Sequence, residues 1–116
     1  MRRVFVISKE KIFPALLTET EEEQIKGLMG VKNPPVMCFP YKEAEIRNFW
    51  MFNTPAPLDI LFLRNGEIKS ILVGEPNSTK IISNYEPADL VIEMPHGTCA
   101  KYEIKKGDRI FINEKR

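Results

Sequence analysis

Short apolar runs alternate along the chain with polar breaks rich in proline, glycine and asparagine. Val4 to Ile7 is β-branched and aromatic and predicts a short strand. Ile12 to Thr18 is a second candidate, where Pro14, lacking an N–H, suits an edge or a strand start. Thr20-Glu21-Glu22-Glu23 predicts a helix start. Thr20 caps the free amides, Glu23 reaches back to complete a capping box, and the carboxylates suit the positive end of the helix dipole. Ile25, Leu28 and Met29 form one apolar stripe, with Gly27 weakening the helix and Gly30 expected to end it. Val36 to Phe39 has the pattern of a buried strand that Pro40 stops, Tyr41 to Glu45 reads as a surface loop, and Ile46 to Met51 as a further strand.

The next stretch, Phe49 to Ile60, holds the single Trp of the chain and passes from apolar residues through Asn53, Thr54, Pro55 and Pro57 into a second apolar run. Leu58 to Leu63 is broken only by Asp59 and predicts a strand covered on both faces. Asn65-Gly66 is a strong hairpin signal, because both residues tolerate positive φ, and Glu67 to Val73 is the return strand. Ile81 to Ser83 and Ala88 to Met94 read as strands, Thr98 to Tyr102 as one helical turn, and Gly107-Asp108 as a tight turn feeding a last strand through Ile112. Glu114, Lys115 and Arg116 are expected to fray. The sum predicts an α+β, mostly β fold: a small barrel-like or strongly curled sheet with one short helix and one helical turn, as a single domain over residues 1–116.

Composition narrows the function classes. Seventeen basic and 16 acidic residues give a net charge of +1, which provides no general pull toward nucleic acid or an anionic membrane. Apolar runs of about six residues fall far short of a membrane span. The basic start followed by Val4 to Ile7 reads as a strand rather than an export signal, so Cys38 and Cys99 are expected as reduced thiols in a cytoplasm.

Gly27-Leu28-Met29, Phe49 to Thr54, Pro57-Leu58-Asp59-Ile60, Glu93-Met94-Pro95 with Gly97-Thr98, and Gly107-Asp108-Arg109-Ile110 occur in one order. In these segments the chain resembles the domain of unknown function family 192 from about Ile12 to Ile112. The resemblance implies a fold and no known chemistry. Phe52 stands where the family usually has Lys or Arg, which removes the cation that would suit an anionic ligand. His96 stands where a small residue is more usual.

Two readings of Trp50, Asn53, Thr54 and Asp59 stand side by side. In the first, all four are structural, as core and rim, as a turn bonded to local backbone, and as a hydrogen-bonding carboxylate. In the second they surround a pocket whose aromatic face, amide, hydroxyl and carboxylate suit a neutral polyhydroxylated ligand such as a sugar. Asp59 needs a partner in either case, and Arg47 and Arg109 are the cations on offer. His96, Cys99 and Cys38 are one ligand short of a structural zinc site, and a Cys99–His96 nucleophile pair has nothing evident to orient the imidazole, so no metal or cofactor is expected. A binding or accessory module without catalytic residues is therefore expected. The alternatives are a protein-interaction module working through exposed strand edges and a hydrolase using Asp59.

Overall fold

Nine strands and two short helices make up the described residues, 1–114, of the computed structural model. The expected fraying of Lys115 and Arg116 lies outside them. The first hairpin joins β1 (Arg2–Ser8) to β2 (Lys11–Leu17), and α1 (Glu21–Lys26) follows. Then come β3 (Val36–Glu45), β4 (Asn48–Phe49), β5 (Leu58–Arg64), β6 (Glu67–Gly74), β7 (Ile82–Ser83), β8 (Ala88–Pro95), α2 (Thr98–Tyr102) and β9 (Ile110–Asn113). Seven strands form one curled, half-barrel sheet in the order β6-β5-β8-β3-β2-β1-β9, while β4 and β7 pair separately. The outer strands approach each other at one end. Gly107 N donates to Ile68 O at 2.8 Å, and Ile110 N donates to Gly66 O at 2.8 Å.

The twofold period of a strand sends alternate side chains to opposite faces. Leu58, Ile60 and Phe62 join Met37, Phe39 and Val91 in one apolar cluster. Leu61 and Leu63 join Cys38, Ile92, Met94, Val4 and Val6 in the other. This double coverage explains the nearly unbroken apolar run of β5, every residue of which is buried up to Arg64. The Asn65-Gly66 hairpin forms as expected, with both residues at positive φ.

Several local features differ from the sequence reading. β3 runs through Pro40 to Glu45, because the ladder shifts register between Pro40 and Glu45 and the strand continues past the proline. The strand expected over Ile46 to Met51 shrinks to Asn48–Phe49. Helix α1 ends at Gly27, whose φ of 49° caps it three residues before Gly30, and Ile25 stays exposed while Leu28 is buried. Pro14 sits on an inner strand, opposite Phe5, but β2 pairs with β3 only over Ala15 to Leu17, so its neighbouring side needs no N–H. Thr20 accepts the amide of Glu23 as predicted, whereas Glu23 Oε1 accepts the amide of Glu19, one residue before the cap.

Candidate functional site

A cavity of about 350 Å³ opens between the sheet and the segments that cross it. Leu58, Phe39 and Glu93 line it from the sheet, Gln24, Ile25 and Lys26 from α1, and Phe49, Trp50, Met51 and Thr54 from the stretch around β4. Its walls are held closely. At Gly74 a Cβ would lie 2.5 Å from Met51 Sδ, so any larger residue at the end of β6 would force the buried Met51 side chain to move. Gly30 N donates to Asn53 O at 2.7 Å, tying the segment after α1 to the turn after Trp50.

The sequence-predicted site residues divide among three places. Trp50 lines the cavity with 46% of its surface exposed and stacks on Phe52 at 5.0 Å between ring centroids. Thr54 also lines it, buried, with Oγ1 donating to Phe52 O at 3.1 Å. Asn53 is exposed at a φ of 52° and lines a more open groove with Gly30, Pro55 and Asn77. Asp59 points the other way. It follows Leu58 on β5 and so emerges on the opposite face of the sheet, away from Trp50.

There Asp59 is buried and fully engaged. Gly97 N and Cys99 N donate to its Oδ2 at 3.1 and 3.0 Å, which caps the first turn of α2 from outside the helix. His96 Nδ1 donates to Oδ1 at 2.8 Å. This corrects two expectations. Arg47 and Arg109 are not its partners: Arg47 Nε donates to Ala88 O at 3.2 Å with its guanidinium 3.8 Å over the Tyr41 ring, and Arg109 Nη2 donates to Asn65 O at 2.7 Å. The imidazole of His96 does have an orienting group, Asp59 itself, and half of the ring remains open to solvent beside Phe13 and Tyr102. Burial, reinforced by the Asp59 charge and a hydrogen bond to it, pushes the Cys99 thiol up to about 12, so it is not a ready nucleophile. Burial alone does the same to Cys38. Among the described residues, no group of three or more His, Cys, Asp and Glu side chains is placed to hold a metal ion.

The residue that sequence reasoning missed is Glu93. It lies on β8 opposite Ile60 and Met37, on the cavity face, and is only 5% exposed. Among the described residues its carboxylate has no hydrogen-bond or ion-pair partner, and desolvation raises its pKa from 4.5 to about 7. Tyr41, next to it on the cavity wall, is also pushed up, by burial first and opposed by the Arg47 charge. The signal was available: Glu93 interrupts the apolar run Val91 to Met94 just as Asp59 interrupts Leu58 to Leu63.

The chain has close structural relatives. A family model described as "Uncharacterized ACR", that of the domain of unknown function family 192, matches residues 4–112. A "putative transcription regulator" of Sinorhizobium meliloti 1021 is 30% identical, with a TM-score of 0.85 over 94% of this chain and 91% of that one. A protein of unknown function from Novosphingobium aromaticivorans DSM 12444 is 29% identical, with a TM-score of 0.81 over 94% of this chain and 83% of that one. None of the curated proteins matches.

Proposed function

The chain belongs to the domain of unknown function family 192, and we propose that it is a small-ligand binding module whose site is the cavity between Trp50 and Glu93. The observation that carries this reading is Glu93: a buried carboxylate without a protein partner, opening onto a cavity. Native structures rarely leave such a group unpaired, because its desolvation cost is uncompensated. A ligand that bonds it supplies the compensation. The cavity volume falls at the low end of the range of about 300–1,000 Å³ usual for small-molecule sites. Trp50 at the rim, with Thr54 and Gln24 as polar lining, suits a compact hydroxylated molecule of the carbohydrate class. Asn53 borders this site from the adjoining groove. Asp59, on the far face of the sheet, takes no part in it.

The other readings have less support. A hydrolase using Asp59 needs a free acceptor, and both carboxylate oxygens there already accept hydrogen bonds. Recognition through strand edges needs open edges, and the two outer strands partly close on each other. The Sinorhizobium relative carries the name of a transcription regulator, but a net charge of +1 gives this chain no general electrostatic pull toward nucleic acid. Cytoplasmic residence belongs to the proposal and is supported by two buried thiols that remain unpaired.

Trp50 is the sole Trp, so its fluorescence reports on this cavity directly. Titration with a panel of mono- and disaccharides is expected to give a saturable change with at least one of them, lost in Glu93→Leu. A flat response across the panel, with the protein folded, overturns the proposal.

A further inference from the structure

We infer that the ligand group seated on Glu93 is a protonated amine, so that the cavity takes an amino sugar or a similar hydroxylated amine in preference to a neutral sugar. This rests on the pocket reading above and sharpens it.

The charge of the cavity points to a cation. Its lining carries two carboxylates, Glu21 and Glu93, against one ammonium, Lys26. Lys26 makes no ion pair with Glu93; its Nζ donates to the backbone oxygen of Met29 at 3.5 Å. Arg47 is turned onto Tyr41 and the backbone, and it makes no pair with Glu93 either. Among the described residues no cation pairs directly with Glu93, whose carboxyl is about half ionised at neutral pH, and the Arg47 guanidinium is engaged by the Tyr41 ring.

The walls suit the same guest. Phe39, Tyr41, Phe49 and Trp50 line the cavity, and aromatic faces attract cations through the ring quadrupole. Tyr41 already holds one cation in this way, the Arg47 guanidinium at 3.8 Å from its centroid. An ammonium inside the cavity meets a carboxylate and aromatic rings together, the pairing that lets a buried charge be kept. A neutral hydroxyl can bond Glu93 in either protonation state, whereas an ammonium is the guest that favours its ionised form.

The test follows the Glu93 carboxyl carbon by NMR and Trp50 by fluorescence at neutral pH, with two probe pairs. Methylammonium chloride is compared with sodium chloride at equal ionic strength, and D-glucosamine with D-glucose. The expected result is a saturable shift of the Glu93 signal with methylammonium but not with sodium. Glucosamine should bind at least about tenfold tighter than glucose, a preference lost in Glu93→Gln. If glucose binds as tightly as glucosamine and methylammonium leaves Glu93 unmoved, the amine inference falls and the pocket stands. If no probe moves either signal, both fall.

Discussion

Two buried carboxylates leave the same sheet from opposite faces, Asp59 on β5 and Glu93 on β8, one 4% and the other 5% exposed. Their surroundings are opposite. Asp59 accepts from two backbone amides and an imidazole. Glu93 accepts from none of the described residues. Equal burial thus has two meanings. Where the protein itself satisfies the charge, the carboxylate is architecture, here a cap that starts α2. Where it does not, the carboxyl keeps its proton to a higher pH, and in the reading proposed above a bound ligand is its partner. Both carboxylates interrupt apolar runs in the sequence, yet one is architecture and the other is the candidate binding residue.

The sharpest separation between the two should come from deleting the satisfied carboxylate. Asp59→Ala strands the amides of Gly97 and Cys99 at the start of α2 and frees His96. At about 1–3 kcal/mol for each orphaned buried group, a loss of about 4 kcal/mol in urea unfolding is expected, with α2 as the element that loosens. A loss below about 1 kcal/mol would mean that the cap is dispensable and that Asp59 is free for other work.

Next in size is the pH dependence that Glu93 imposes. Its pKa is about 7 in the folded protein against an ordinary 4.5. Below the lower value the carboxyl is protonated in both states and contributes nothing. Between the two values the unfolded chain releases its proton first, so the folded state holds more protons and stability falls as pH rises. Above the upper value the penalty is complete, about 3 kcal/mol. Glu93→Gln removes this slope. Its stability relative to the parent should grow by about 3 kcal/mol between about pH 4 and about pH 8, as measured by urea unfolding across that range. Parallel pH profiles for the two proteins would show that Glu93 has a partner after all.

How far each carboxylate was visible beforehand follows from the same geometry. Local signals were legible: the Asn65-Gly66 turn, the Thr20 cap and the doubly covered β5 are each written within a few neighbouring residues. Partners across the sheet were not. Asp59 meets His96 because β5 pairs with β8 in a register that sets Asp59 opposite Met94, and no spacing along the chain encodes that register. Glu93 could equally have faced water, since an acidic residue in an alternating strand usually does. Only the placement of α1 and the Trp50 segment over that face turns it into a cavity lining. Pro40 misled for a related reason: a proline does end most inner strands, yet a register shift beside it let β3 continue.

The smallest effect tests which partner anchors the Asp59 knot. His96 is half exposed, and its ring gives one hydrogen bond to Oδ1 while the two amides hold Oδ2. If the amides govern, His96→Ala should cost about 1 kcal/mol or less, because water can reach the oxygen that the imidazole leaves. Unfolding of His96→Ala and Asp59→Ala under one set of conditions gives the ratio directly. A His96→Ala loss approaching that of Asp59→Ala would make the imidazole the keystone and shift the chemical interest of the molecule to the Phe13–Tyr102 side of the sheet. A several-fold gap between them leaves Asp59 as a helix cap with an imidazole resting on it, and leaves Glu93 as the carboxylate that still lacks a partner.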